Sequence, residues 1–119
     1  MGIECFVVDD GWFAKRNNDH SSLGDWYPNP EKFPNGLQVF APKIHQMGVQ
    51  FGLWFEPEMV NEDTELYRKH PDWIVEPPQG RYSYGRGQLV LDFTNPAVVE
   101  NIFEQMSLII DETHLDYLK

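Results

Sequence analysis

Short apolar runs alternate along the chain with segments in which apolar residues recur at helical spacing. The apolar runs occupy residues 3–9, 49–55, 89–91 and 115–119. Each of them predicts a buried strand. Helical spacing is found in residues 37–47, in 63–69 and again after Asn95-Pro96, so strands and helices alternate from the first strand to the last. That order predicts an α/β fold built from parallel βαβ units.

The predicted helices have recognisable starts and ends. Gly48 follows the first helix, at the position where a glycine commonly ends one. Pro42 lies inside that helix, so the helix either begins late or is kinked there. Asn95 and Pro96 predict the start of the third helix, with the asparagine as its N-cap. The apolar faces predicted for the two helices are Leu37, Phe40, Ile44 and Met47 in the first and Val99, Phe103, Met106 and Ile110 in the third.

Charged and aromatic side chains follow the predicted strands at their carboxyl ends. The set comprises Asp9, Asp10, Trp12, Trp54, Glu56, Glu58, Asp92 and Lys119. In parallel α/β folds these ends meet at one edge of the sheet, where ligands bind. Carboxylates accept hydrogen bonds from hydroxyls and indoles pack on the apolar face of a pyranose, so the set suits a sugar. Asp9-Asp10-Gly11 also has a plainer interpretation, a solvated turn after a core strand.

A hard metal ion is a competing occupant of such an edge, because Mg²⁺ and Ca²⁺ bind clustered oxygen ligands. The sequence contains neither a D-x-D-x-D loop nor an H-E-x-x-H motif, so the metal hypothesis has little support. No metal ligand is therefore predicted.

Two long polar segments, residues 11–34 and 77–87, connect the predicted elements. Loops of this length tend to be functional in compact domains. Trp26 and Tyr27 either stack on a ligand or hold the first loop against the protein, and the second interpretation is favoured. Arg86 precedes the run that ends in Asp92, so its side chain either reaches the strand ends or stays in solvent.

Composition narrows the classes of function. The chain has 119 residues, whereas a closed eight-fold barrel takes about 250. The net charge of −10 disfavours nucleic acid and anionic membranes as partners. Cys5 is the single cysteine, which excludes a disulfide framework. The first residues do not resemble a signal peptide and no apolar run is long enough to span a membrane, so we expect a cytoplasmic protein.

Longer motifs narrow the interpretation to one family. The motifs are FVVDDGWF, SLGDW, FPNGL, FGLWFEPEMV, LYRKHPDW, QLVLDF and DYLK, in that order along the chain. Together they resemble the catalytic barrel of the α-galactosidases of glycoside hydrolase family 36, the melibiase type. The similarity covers nearly all of residues 1–119. It implies a partial (β/α)₈ TIM barrel, roughly its strands 2 to 4 with their helices, within a single catalytic domain.

The resemblance also implies an activity and a set of site residues. Enzymes of this family hydrolyse terminal α-galactosyl residues of oligosaccharides such as melibiose and raffinose, with retention and without a cofactor, and the full-length proteins are expected to be homo-oligomers. Asp9 and Asp10 match the pair that binds the galactose hydroxyls at positions 4 and 6. Trp54 matches an indole of the same subsite. Arg86 and Lys119 match basic residues that bind ring hydroxyls. Glu56 and Glu58 are assigned to holding the strand end.

The family's catalytic pair has no match in these residues. In the family, the motif that contains Tyr117-Leu118-Lys119 continues to the nucleophilic aspartate, and the acid/base aspartate lies much further on. Retaining glycosidases need both carboxyl groups. We therefore expect a chain that carries galactose-binding residues, carries no catalytic residue and is inactive by itself. The alternatives are a non-catalytic carbohydrate-binding module, a fragment of a metal-dependent barrel enzyme, and a structural half-barrel that pairs with a separate chain.

Overall fold

The computed structural model describes residues 2–77 and 87–119. Strands and helices alternate much as the apolar pattern predicts, although the strands are shorter. The elements are β1 (Cys5–Val8), α1 (Leu37–Gln46), β2 (Gln50–Leu53), β3 (Met59–Asn61), α2 (Glu65–Lys69), β4 (Gln88–Val90), α3 (Pro96–Thr113) and β5 (Tyr117–Leu118). None of the helices in these residues is long and apolar enough to cross a membrane.

A parallel sheet of three strands, in the order β1-β2-β5, forms the centre of the fold. Helix α1 connects β1 to β2, and α3 precedes β5. The predicted parallel arrangement is confirmed for these three strands. On one face of the sheet, the paired residues Phe6 and Phe51 contact Phe40 of α1. Because side chains alternate along a strand, the next residues along β1 and β2 point to the opposite face.

The predicted third strand does not join this sheet. Residues 88–90 form β4, which pairs antiparallel with β3, and Met59 lies opposite Val90. The simple alternation of parallel strands is wrong at this point, because three residues of extended chain carry no signal for the direction of their partner.

Helix α1 contains Pro42 in its interior and begins at Leu37, so it does not begin late. Proline cannot donate a backbone hydrogen bond, so the carbonyl of Gln38 lacks its usual helical donor. The helix buries Leu37, Ala41 and Ile44. Met47, which the pattern places on the apolar face, is 68% exposed. It lies beyond the last helical residue, in the turn that leads from α1 into β2.

Helix α3 begins at the predicted residue, but the face that it buries differs from the predicted one. The side chain of Asn95 accepts a hydrogen bond from the Ala97 N–H, which confirms the asparagine as the N-cap. The buried residues are Val98, Ile102, Ile109 and Thr113. Val99 and Phe103, predicted to face the core, are 45% and 70% exposed. The helix has two neighbouring apolar stripes, and its packing against α1, not its periodicity, decides which one is covered.

The loop between β1 and α1 supplies a large part of the core. Trp12, Phe13, Leu23 and Trp26 are all at most 2% exposed. Trp26 thus holds the loop against the protein, as predicted, while Tyr27 is 39% exposed. Backbone hydrogen bonds close the loop on itself, from Ala14 N to Tyr27 O at 2.7 Å and from Asn29 N to Trp12 O at 2.8 Å. The segment has little regular structure, but it is packed rather than solvated.

Candidate functional site

The carboxyl ends of the three parallel strands place Asp9, Trp54 and Lys119 side by side. Backbone hydrogen bonds extend the sheet beyond the strands, from Trp54 N to Val8 O and from Lys119 N to Leu53 O, both at 3.0 Å. Alternation along the strands puts the three residues on the face opposite α1. We call the edge formed by Asp9, Asp10, Trp54 and Lys119 the strand-end rim. These four are the residues that the resemblance assigns to sugar binding and that the structure describes.

Asp9 and Lys119 form an ion pair that passes over the middle strand. Lys119 Nζ lies 2.6 Å from Asp9 Oδ2, and the other carboxylate oxygen of Asp9 accepts the Asp10 N–H at 2.8 Å. The hydrogen bond from Lys119 lowers the pKa of Asp9, and the Asp10 N–H lowers it further. The same hydrogen bond raises the pKa of Lys119. Both side chains are more than half exposed, at 59% and 53%. A charged acceptor and a charged donor therefore stand at the surface, both open to a ligand.

We expect the Lys119→Met variant to raise the pKa of Asp9 towards its ordinary value, because the variant removes the largest cause of its depression. The lowered pKa of Asp9 means that the ion pair stabilises the native state. This contribution is fully present above the ordinary aspartate pKa of about 4 and is lost as the pH falls through the lowered pKa. On the alkaline side, the contribution of Lys119 is lost as the pH rises through its raised pKa. Carboxyl ¹³C shifts followed by NMR against pH measure the change.

Lys15→Met provides the control for this titration, because Lys15 is an exposed lysine on the neighbouring loop. It removes the same unit of charge without touching Asp9. If the two variants moved the pKa of Asp9 equally, the effect would be one of net charge and the specific ion pair would be excluded as its cause.

Asp10 has a different cation. Arg16 Nε donates to Asp10 Oδ1 and Arg16 Nη2 donates to Asp10 Oδ2, both at 2.9 Å. The arginine side chain is 2% exposed and the aspartate side chain 34%. Arg16 is not among the predicted site residues, because a Lys-Arg pair in a polar loop usually indicates solvated charge. The only available signal is its position six residues after an aspartate at a strand end. The two neighbouring carboxylates thus coexist because each has its own cation.

The aromatic residues of the strand ends divide into one at the rim and one in the core. Trp54 is half-buried, and its ring stacks on Phe13 with the centroids 6.0 Å apart. Trp12 is 1% exposed and donates its indole N–H to the Trp54 carbonyl at 2.8 Å. The expectation that Trp12 belongs to the rim is therefore wrong. Gly11, with a φ of +112°, turns the chain inward directly before it.

The remaining acids of the predicted set, Glu56, Glu58 and Asp92, make contacts with β4 and with the residues that follow it. Gln88 Nε2 donates to Glu56 at 3.3 Å, which ties the end of β2 to β4. Glu58 accepts the Leu91 N–H through its backbone carbonyl. Asp92 follows β4, which belongs to the other sheet. Its carboxylate accepts bonds from the hydroxyl and N–H of Thr94, and these bonds lower its pKa. Asp92 serves the turn into α3.

Two further hypotheses from the sequence concern the position of Arg86 and a metal site. Arg86 lies outside the described residues, so its place relative to the rim stays a prediction. Within residues 2–77 and 87–119, no group of three or more histidine, cysteine, aspartate or glutamate side chains has the arrangement of a metal site.

Comparison with known proteins decides the family. The Melibiase family model matches residues 1–119. The α-galactosidases Mel36A of Lactobacillus acidophilus and AgaA of Geobacillus stearothermophilus are each 49% identical to the chain over 119 residues. The chain belongs to the melibiase family. This melibiase chain is matched along its whole length, yet it spans only 16% of either relative.

Solved structures of melibiase relatives have the same fold over this region. The α-galactosidase of Lactobacillus brevis superposes with a TM-score of 0.94 at 50% identity, over 98% of this chain and 16% of that one. A variant of AgaA in complex with raffinose gives 0.92 at 49% identity, with the same coverage. Another AgaA variant was solved in complex with stachyose.

Proposed function

We propose that the strand-end rim binds the terminal galactosyl group in the active site of an α-galactosidase. In this proposal Asp9 and Asp10 accept hydrogen bonds from the hydroxyls at positions 4 and 6, Lys119 donates to a ring hydroxyl, and Trp54 packs on the apolar face of the sugar. Arg86 is proposed as a further donor. The substrates are α-galactosides of the raffinose and stachyose class, which are bound in the structures of the relatives.

The observation that carries this proposal is the ion pair over β2. Asp9 Oδ2 and Lys119 Nζ lie 2.6 Å apart at the ends of two strands that both flank β2, and Trp54 lies at the end of β2 itself. A hydroxyl is both a donor and an acceptor, so an adjacent carboxylate and ammonium can bind neighbouring hydroxyls of one ring. The exposure of both groups leaves them accessible to such a ligand.

The hydrogen bonds of Asp9 and Asp10 suit binding of hydroxyls better than general-acid catalysis. Asp9 accepts a hydrogen bond from Lys119, and Asp10 accepts two from Arg16. A retaining glycosidase needs one carboxyl that attacks the anomeric carbon and a second that donates a proton. The hydrogen bond from Lys119 lowers the pKa of Asp9, which makes that group a poorer proton donor. Asp9 is therefore not proposed as the acid. Because the nucleophile and the acid/base aspartate of the family have no match in residues 1–119, we assign no catalytic role to these residues and expect the chain alone to hydrolyse nothing.

The family relationship also leads to a proposal about the architecture of the whole domain. We propose that residues 1–119 belong to a (β/α)₈ barrel domain, in which β1, β2 and β5 are consecutive barrel strands joined by α1 and α3. Strand order and direction support this, since β1-β2-β5 is the order expected of successive βα units. The 70% exposed Phe103 on α3 is consistent with a neighbouring element of a larger protein. A homo-oligomeric, cytoplasmic enzyme is the assembly we expect.

A chimera tests the proposal. This chain replaces the segment of the Lactobacillus acidophilus enzyme that it matches over 119 residues. We expect the chimera to hydrolyse p-nitrophenyl α-galactoside and Asp9→Asn to lower its kcat/KM at least tenfold, because asparagine has no charge and one acceptor oxygen in place of two, and a hydrogen bond to a charged group contributes about 1.5–3 kcal/mol. Initial rates measured against substrate concentration give the values.

Glu100→Gln is the control, because Glu100 is an exposed carboxylate on α3 and removing its charge should leave kcat/KM unchanged. A folded, active chimera in which Asp9→Asn had no more effect than Glu100→Gln would contradict galactose binding by the rim. A chimera that bound galactose with normal affinity but had no activity would instead favour the carbohydrate-binding alternative.

A further inference from the structure

Arg16 is a buried cation that binds the carboxylate of Asp10 and a backbone carbonyl of its own loop. Two of its nitrogens bind the carboxylate of Asp10, and Nη1 donates to the Ser21 carbonyl at 2.7 Å. The guanidinium carbon lies 5.7 Å from the centroid of the Phe13 ring. A charge this far removed from water is stable only when it is paired and hydrogen-bonded. In this loop, the buried arginine forms its ion pair with one carboxylate of the rim, that of Asp10.

The backbone that joins the two partners is fixed as well. Lys32 Nζ donates to the Gly11 carbonyl at 2.7 Å and to the Arg16 carbonyl at 2.9 Å. These bonds tie together both ends of the backbone between Asp10 and Arg16. Ser21, whose carbonyl holds Nη1, is 8% exposed. Arg16 therefore cannot follow Asp10 if the carboxylate turns, and the carboxylate is held against a rigid support.

The fork of the guanidinium determines which directions Asp10 still offers to a ligand. Each carboxylate oxygen accepts one N–H from Arg16, and each has a second lone-pair direction left. The side chain of Asp10 is 34% exposed, so those directions are accessible. We propose that Arg16 is a positioning residue that fixes the Asp10 carboxylate in the orientation required by the galactosyl hydroxyls. This inference rests on the function proposed above.

The role requires arginine rather than any cation. A guanidinium binds both oxygens of a carboxylate in one plane and so fixes its rotation, whereas an ammonium is a point charge that leaves the carboxylate free to turn. Arg16→Lys therefore retains the charge and removes the orientation. This substitution separates positioning from simple neutralisation of Asp10.

The experiment uses the chimera defined above. We expect Arg16→Lys to raise both KM for p-nitrophenyl α-galactoside and the inhibition constant for free galactose about tenfold, while kcat changes less than threefold. Galactose contacts the rim without reacting, so its inhibition constant reports binding alone. Lys15→Met, which removes an exposed charge from the adjacent residue, should change neither value. A fall in kcat with an unchanged inhibition constant would indicate structural damage and overturn the positioning role.

A double-mutant cycle with Asp10→Asn tests whether Arg16 acts through Asp10. Interacting partners give non-additive effects, so Arg16→Lys should have little further effect on galactose inhibition once Asp10 is asparagine. Independent, additive effects would contradict the inference. If Asp10→Asn alone left galactose inhibition unchanged, the proposed function itself would fail. If Asp10→Asn weakened inhibition and Arg16→Lys did not, only the positioning role would be wrong.

A measurement on the 119-residue chain needs no enzymatic activity. NMR couplings of the Asp10 side chain should report one fixed rotamer in the wild type and averaged rotamers in Arg16→Lys. Asp19, an exposed aspartate on the same loop, gives the reference for a carboxylate outside the rim. Unchanged couplings in Arg16→Lys would overturn the proposal even if the variant chimera did not fold.

Discussion

Replacing Trp26 by alanine should lower the free energy of unfolding by about 3–5 kcal/mol, the usual cost of deleting a large buried aromatic side chain. Trp26 is 2% exposed, and its ring lies within 4.4–6.2 Å, centroid to centroid, of the rings of Trp12, Phe13, Trp54 and Phe55. This cluster joins the loop after β1 to the end of β2. Its loss leaves a cavity that rings fixed on two separate segments cannot easily fill.

Two further variants separate packing from other effects. Tyr27→Ala removes the adjacent aromatic ring, which is 39% exposed, and should cost about 1 kcal/mol or less. Trp26→Phe retains most of the ring volume and removes the indole N–H, which has no hydrogen-bond partner among the described residues. It should cost less than half as much as Trp26→Ala, since no hydrogen bond is lost.

Urea unfolding followed by far-UV circular dichroism, extrapolated linearly to water, gives the free energies. Circular dichroism is preferred because removing a tryptophan changes the fluorescence itself. If Trp26→Ala were as stable as Tyr27→Ala, the loop would contribute little to the core and would have to be regarded as a surface excursion.

The sequence predicts those parts of the fold that depend on local pattern. Asn95 caps α3, and the apolar runs that contain Phe6 and Phe51 form parallel strands. Asp9, which follows β1, and Lys119, which follows β5, meet at one edge, because parallel strands align their carboxyl ends. Asp9 and Lys119 are 110 positions apart, yet the rule for strand ends is sufficient to bring them together.

Other features depend on tertiary packing, and the sequence pattern does not contain them. Both stripes of α3 are apolar, so periodicity cannot decide that Ile102 is buried while Phe103 is exposed. Trp12 follows the acidic pair closely, but whether it turns to the ligand or to the core depends on the conformation of Gly11. Arg16 is a charge in a polar segment, and its burial depends on Asp10 and Ser21 being in place. In each case the tertiary contacts override a local preference.

Replacing Gly24 by alanine should be the second strongly destabilising change, at about 2–5 kcal/mol. The φ of Gly24 is +110°, which side chains of L-residues rarely adopt. A Cβ there would lie 2.9 Å from Val60 Cγ2 and 3.3 Å from Leu66 Cδ2, both on buried residues. Backbone strain of about 1–2 kcal/mol and overpacking of about 1–3 kcal/mol therefore act together. The Gly24 carbonyl accepts Gln105 Nε2 at 3.0 Å, which restricts any backward shift of the loop.

Two other glycines divide this cost into its parts. Gly48 has a φ of +72°, and no atom lies within 4 Å of the position that a Cβ would take, so Gly48→Ala incurs backbone strain alone, about 1–2 kcal/mol. Gly2 has neither constraint, and Gly2→Ala should be neutral. Urea unfolding of the three variants should rank Gly24→Ala well below Gly48→Ala in stability, with Gly2→Ala equal to the wild type. Equal losses for Gly24→Ala and Gly48→Ala would mean that Val60 and Leu66 move aside.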